Sequence, residues 1–218
     1  MKRFKLGGHN MEASLMEMVG HIIPHNSIEH LEIHSYNLSD CPINDDSISL
    51  WTFPLHFFST LRMVVLRRFG NLHMISQDHT NNHLLDLTIK ECSKFESLPA
   101  NMHMLLPSLT RLCIYDCPRL ETFPDGGLQS KLNFMKLKNC SRLVGSLKGA
   151  FGDNPSLKSL WIEKLDAKSF PDEDMLPLSL TSLTISNCPN LEKLDYKGLY
   201  QLSYLKSLSL CHCPNLQR

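Results

Sequence analysis

Histidine and cysteine are the side chains with which a chain could bind a metal ion or perform thiol chemistry. This 218-residue sequence holds eleven histidines and eight cysteines. It contains no C-x-x-C pair, no H-E-x-x-H motif, no G-x-S-x-G turn and no glycine-rich phosphate loop. Cys113 and the run Cys211, His212 and Cys213 come closest to a cluster, but Cys213 takes an inward position, so only Cys211 and His212 would face outward together. We therefore predict no catalytic site, no metal site and no cofactor.

The charge balance and the short apolar runs argue against two classes of partner, nucleic acids and membranes. The chain has 22 basic and 22 acidic residues, which leaves no basic excess of the kind that nucleic-acid binding requires. No apolar run approaches the ~20 residues that span a membrane, and the basic N-terminus has no apolar segment behind it. We predict a soluble, non-secreted protein that binds neither nucleic acid nor membranes.

Five of the cysteines occupy one position of a repeated pattern, L-x-x-L-x-I-x-x-C-x-x-L/F-x-x-L/F-P, which is clearest over residues 84–99 and 109–124. The alternation in L-x-I puts successive side chains on opposite faces of a short strand. The cysteine follows three residues later, where a small side chain can turn inward. We predict reduced, structural thiols at Cys92, Cys117, Cys140, Cys188 and Cys213.

The repeat spacing predicts the fold class. The middle leucine position falls at residues 31, 64, 87, 112, 135, 160, 183 and 208, so six of the seven steps measure 23 or 25 residues and the first measures 33. Leucine-rich repeats have periods of ~20–29 residues. We predict an α/β leucine-rich-repeat solenoid, curved, with short parallel strands on its concave face and irregular, 3-10 or short helical returns on its convex side. The long first step predicts an inserted loop near residues 41–57, including Pro54.

The repeats also divide the chain. Residues 1–27 form a degenerate N-terminal segment, part helical because residues 11–23 have helical apolar spacing ahead of Pro24. Residues 28–218 form a repeat domain of about eight repeats. Neither end shows the polar capping repeat that an open stack needs. We therefore expect exposed apolar ends beside Ile28 and Leu216, and a chain that is a fragment of a longer protein or a truncated product.

The outward strand positions are where a stacked repeat domain presents its binding surface. Large and charged side chains concentrate from the second to the sixth repeat, and Trp, Tyr and Arg are the residue types that anchor protein interfaces. Two alternatives are that these are tolerated surface residues, or that Trp161 and Phe134 pack on each other. The predicted partner-binding residues are Arg67, Arg111, Tyr115, Phe134, Lys136, Lys138, Trp161 and Glu163.

Several repeats carry the form C-P-x-L, at Cys117-Pro118, Cys188-Pro189 and Cys213-Pro214. In this form, residues 28–218 resemble the C-terminal leucine-rich repeats of plant NB-LRR disease-resistance proteins of the coiled-coil class. The first repeat lacks the C-P signature, and the sixth has Leu165 in the cysteine position.

The resemblance implies a non-catalytic domain, cytoplasmic or nuclear, that senses a pathogen effector or a guarded host protein. It also implies that the domain restrains a nucleotide-binding switch in a longer parent protein, with that nucleotide-binding domain as an intramolecular partner. ATP or ADP would bind only in the parent. An F-box-type ubiquitin-ligase substrate adaptor is the alternative, and an enzyme is the third class considered.

Overall fold

The computed structural model describes residues 3–9, 27–36, 51–151 and 155–217. Within these ranges, nine strands form one parallel sheet, and four shorter strands form two small parallel pairs. The strands in chain order are β1 (Arg3–His9), β2 (His30–Tyr36), β3 (Thr52–Pro54), β4 (Met63–Arg67), β5 (Met74–Ser76), β6 (Asp86–Lys90), β7 (Arg111–Tyr115), β8 (Phe134–Lys138), β9 (Ser159–Glu163), β10 (Ser169–Phe170), β11 (Ser182–Ser186), β12 (Lys193–Leu194) and β13 (Ser207–Cys211).

The large sheet follows the repeats one by one, in the order β1-β2-β4-β6-β7-β8-β9-β11-β13. Equivalent residues of neighbouring repeats pair directly, so that Leu87 lies beside Leu112 and Ile89 beside Ile114. The second and fourth residues of β4, β6, β7, β8, β9 and β11 are buried in one continuous core. The first and fifth residues of these strands, and in several of them the third, face outward. The predicted leucine-rich-repeat solenoid is confirmed.

Each of these six strands, and β13 as well, is followed by a residue with left-handed backbone conformation. Asp116, for example, has a φ of 52°, and its N–H donates to the Lys138 carbonyl of the next strand at 2.9 Å. This turn extends the strand-to-strand hydrogen-bond ladder by one rung. Asn and Asp tolerate the conformation best among residues other than glycine. The turn residues are Arg68, Glu91, Asp116, Asn139, Lys164, Asn187 and His212.

The repeated cysteine lies directly after this turn and closes it. The thiol of Cys117 donates to the Tyr115 carbonyl at 3.3 Å, and the thiol of Cys140 donates to the Lys138 carbonyl at 3.1 Å. The sulfur also accepts, since the Leu165 N–H lies 3.4 Å from the sulfur of Cys188. Burial raises the pKa of the Cys92 thiol to about 11. The predicted inward structural position of these cysteines is confirmed, and all seven described cysteines are free thiols.

The returns between strands are short, as predicted. They contain α1 (Met102–Leu105), α2 (Ser141–Gly145), α3 (Tyr196–Tyr200), a 3-10 turn at Leu55–Phe57, and the strand pairs β3-β5 and β10-β12. Pro54 was expected in a loop, and this prediction is wrong. The residue ends β3 in register with Ser76, at the end of a strand in a two-stranded pair, where a proline is tolerated.

The N-terminal segment holds a strand that the sequence analysis did not predict. β1 pairs with β2 in parallel register, and Leu6 packs against the core, so the sheet begins before residue 28. Ile28 is buried, contrary to the expected exposed end. The predicted helix over residues 11–23 lies outside the described residues. At the other end, Leu216 itself is partly buried and packs against the core, and the exposed apolar surface lies on the last strand of the sheet, where Leu208 is 41% exposed.

Candidate functional site on the concave face

The eight predicted site residues all lie at outward positions of the large sheet, on β4, β7, β8 and β9. The strand register sets their neighbours. Arg111 lies beside Phe134, and Tyr115 lies beside Lys138. The next strand places Trp161 beside Lys136 and Glu163 beside Lys138, so seven of the eight residues form one continuous group on three adjacent strands.

Lys136 is at the centre of this group. Its ammonium nitrogen lies 3.6 Å from the centre of the Trp161 ring and 5.7 Å from that of the Tyr115 ring. The same nitrogen is 3.3 Å from Glu163 Oε2. The indole N–H of Trp161 donates to the hydroxyl oxygen of Ser186 at 3.0 Å, which fixes the ring from the other side. Trp161 nevertheless stays 37% exposed and offers a partner a positioned aromatic surface.

Glu163 holds two ammonium groups at once. Its second oxygen lies 3.0 Å from Nζ of Lys138. Burial acts to raise the pKa of Glu163, but the hydrogen bonds from Lys138 and Lys136 outweigh it, and the pKa lies below its usual value. The hydrogen bond to Glu163 in turn raises the pKa of Lys138. Glu163 and Lys138 are therefore both charged near neutral pH.

The other two aromatic residues are also covered by cations. The Arg111 guanidinium lies 4.2 Å from the centre of the Phe134 ring and 3.3 Å from the Asp86 carboxylate. Lys90 lies 4.7 Å from the Tyr115 ring, and burial raises the pKa of the Tyr115 hydroxyl. Among the described ring contacts, Trp161 and Phe134 each pair with a cation and not with each other. The alternative in which they pack together is wrong, because Lys136 and Arg111 occupy their faces.

Arg67 lies apart from the main group, since β6 separates its strand from β7. It donates to Glu91 at 2.7 Å, and Arg68 donates to the other oxygen of Glu91 at 2.6 Å. The outward positions of the repeat pattern do not include Arg68 or Glu91, because both lie in the turn after the strand. Three further contact residues, Asp86, Lys90 and Ser186, do lie at outward positions. Nothing in the sequence predicts that they contact the chosen residues, because those contacts depend on the pairing between strands.

The histidines and cysteines do not form a reactive cluster in the described ranges, where no group of three or more His, Cys, Asp and Glu side chains is placed to hold a metal ion. Cys113 is buried although its position is an outward one. Its side chain interacts with the hydroxyl of Tyr115. Cys211 is exposed on β13, with the Ser209 hydroxyl 3.6 Å from its sulfur. Over the same ranges, no helix is long and apolar enough to cross a membrane.

Register-matched L-x-L strands, left-handed turns and inward thiols define this chain as a leucine-rich-repeat solenoid. No family model matches the sequence. The chain is similar to "Putative disease resistance protein At3g14460" of Arabidopsis thaliana, with 33% identity over 136 residues. The match includes 62% of this chain and 10% of the relative, so the chain spans about a tenth of that protein's length. The predicted resemblance to plant disease-resistance proteins is confirmed by this similarity.

Proposed function

We propose that this chain is a non-catalytic recognition domain of a plant disease-resistance protein. Its concave face binds a pathogen effector or a host protein that the effector modifies, and in a longer parent protein the domain restrains a nucleotide-binding switch. The site of action is the cytoplasm or the nucleus. The observation that carries the proposal is the cluster of aromatic and basic side chains on β7, β8 and β9. The similarity to a disease resistance protein supports this function over that of an F-box adaptor.

The composition of the cluster suits protein recognition. Tryptophan, tyrosine and arginine supply most of the binding energy in protein interfaces, usually near the centre of the contact. Trp161 on β9 and Tyr115 and Arg111 on β7 flank β8 in a hydrogen-bonded sheet. Their contacts with Lys136, Ser186 and Asp86 restrict their rotamers. A side chain that is already ordered loses less conformational entropy when a partner binds.

The thiols support a structural role over a chemical one. The repeated cysteines donate to backbone carbonyls at the strand ends, and burial raises the pKa of Cys92 and Cys140 to about 11. A thiol nucleophile needs the thiolate form and access to substrate. These cysteines have neither property near neutral pH, and we infer that they stabilise the turns.

The test is a two-hybrid screen of plant and pathogen libraries with this chain as bait, followed by affinity measurements on each partner with purified variants. Trp161→Ala and Tyr115→Ala should each weaken binding by about tenfold or more, as expected for interface anchors. Their free energy of unfolding should stay within about 1 kcal/mol of wild type, because Trp161 is exposed and Tyr115 is only partly buried. Tyr200→Ala is the matched control, since Tyr200 is an exposed aromatic residue in the return helix α3.

Two results would contradict the proposal. Partners that bind both variants as tightly as wild type do not use the predicted surface. Partners lost equally with Tyr200→Ala and with Trp161→Ala would indicate general adhesion to exposed aromatic residues.

A further inference from the structure

We propose that the concave face selects an acidic protein segment, and that a carboxylate of the partner binds beside Lys138 and Lys136, whose two positive charges Glu163 balances only in part. This inference rests on the proposed function, because it names the chemistry of the partner for the same surface. It is carried by the local charge and by the geometry of two shared carboxylates.

The local charge differs from that of the whole chain. The outward first, third and fifth positions of β4, β6, β7, β8 and β9 hold five basic and two acidic residues, whereas the chain holds 22 of each. The basic residues are Arg67, Lys90, Arg111, Lys136 and Lys138, and the acidic ones are Asp86 and Glu163. Positive charge is therefore concentrated on the surface that also holds the exposed aromatic residues.

Each of two carboxylates on this face is shared by two cations. Glu163 accepts from Lys136 and Lys138, and Glu91 accepts from Arg67 and Arg68. Lys136 and Lys138 together carry one more positive charge than Glu163 balances. An ammonium group has three N–H donors, so its contact with Glu163 leaves Lys138 further donors. The Lys138 side chain is 29% exposed, and a carboxylate from outside can reach it.

The surroundings favour an acidic protein segment over a nucleic acid. A phosphate backbone requires a continuous basic track, and the carboxylates of Asp86 and Glu163 interrupt this surface. The indole of Trp161 adjoins Lys136 and provides an apolar contact for the aliphatic part of an acidic side chain or for its neighbour. Complementary charge at such a surface raises the association rate and selects among partners.

The experiment measures binding of a fluorescently labelled decaglutamate peptide to the purified chain by anisotropy at low salt. Each unit of charge at this distance changes the Coulomb energy by under 1 kcal/mol in a largely aqueous dielectric. Lys138→Glu should therefore weaken binding by about tenfold and Lys138→Gln by about threefold. Glu163→Gln should tighten binding by about threefold. Lys168→Glu makes the same charge change at an exposed position ahead of β10 and should leave binding unchanged. The differences should shrink as salt is raised.

Thermal melts by circular dichroism identify any variant that is unfolded at the assay temperature, and Lys138→Gln retains the test if Lys138→Glu does not fold. Equal binding by wild type, Lys138→Gln and Glu163→Gln would overturn the proposal. So would tighter binding of a ten-nucleotide oligothymidine with the same dependence on Lys138, which would make this a nucleic-acid surface.

The results separate this inference from the proposed function. If the Lys138 variants bind decaglutamate as tightly as wild type while Trp161→Ala abolishes binding of a protein partner, the acidic preference is wrong and the recognition function stands. If the Lys138 variants bind decaglutamate more weakly, as expected, while Trp161→Ala and Tyr115→Ala bind protein partners as tightly as wild type, the acidic preference stands and the recognition surface is wrong.

Discussion

At the scale of single residues, Glu163 organises the concave face. Its side chain is only 13% exposed, and it accepts from Lys136 and Lys138 on the neighbouring strand. Burial alone would raise its pKa, but the two ammonium groups bring the pKa below the usual value. Without this carboxylate, the two ammonium groups would face each other across one side of β8 and repel.

The lowered pKa predicts a pH-dependent effect of Glu163→Gln on stability. A carboxylate whose folded pKa is below its unfolded pKa stabilises the fold above the unfolded value, and the contribution disappears as pH falls through the folded value. We expect the variant to be less stable than wild type by about 1 kcal/mol at pH 7, as for a partly exposed ion pair. The difference should shrink below the ordinary glutamate pKa of about 4.3 and vanish at lower pH.

Urea unfolding of both proteins at pH 7, 5 and 3.5 measures this difference. Glu173→Gln is the control, because Glu173 is an exposed carboxylate in a return segment, and it should show no difference from wild type. A stability loss for Glu163→Gln that stays constant over this pH range would show that the ion pairs are not its cause.

At the scale of elements, each strand repeats the same division between inward and outward positions. The neighbouring strands determine how deeply its inward side chains are buried. Leu112 and Leu208 hold equivalent positions of β7 and β13. Leu112 has a paired strand on both sides and is fully buried. Leu208 pairs with β11 on one side and is 41% exposed at the end of the sheet.

This difference predicts unequal effects of one substitution. Leu112→Ala should lower the free energy of unfolding by ~2–5 kcal/mol, because it removes fully buried methyl groups and leaves a cavity. Leu208→Ala should cost less than about 1 kcal/mol, because the side chain is already partly in water. Denaturant unfolding followed by far-ultraviolet circular dichroism measures both. Equal losses would mean that Leu208 is covered in solution, for example by a second molecule.

At the scale of the whole molecule, the sheet is a linear stack in which each strand pairs with the strands of the repeats before and after it. Stability in such a stack is close to a sum over the repeats and the interfaces between neighbouring repeats. The central repeats are buried on both sides, and the final repeat is not.

Hydrogen exchange should therefore vary along the stack. We expect the backbone amides of β7 and β8 to exchange more slowly than those of β13, by about tenfold or more, because an end repeat can open without its neighbours. Exchange followed by mass spectrometry of peptic peptides measures this gradient. Uniform protection from β2 to β13 would show that the molecule unfolds as one cooperative unit.

The sequence by itself determined the features that repeat locally. The spacing of leucine, isoleucine and cysteine identified the inward positions, the thiol position and the outward rows, because each follows from strand alternation within a single repeat. The same alternation predicts which side chains lie at outward positions, and it identified Trp161, Tyr115 and Glu163 as surface residues.

The tertiary structure alone decided how those residues meet. The contacts of Lys136 with Trp161 and Glu163, and of Arg67 with Glu91, join residues about one repeat apart in the chain. They depend on register, side-chain rotamer and the ~4.8 Å strand spacing, none of which a single repeat specifies. The strand β1 is recognisable only from its pairing with β2, because residues 3–9 contain two alternate apolar residues and no cysteine. Local periodicity is encoded residue by residue, whereas pairing across strands exists only once the repeats are stacked.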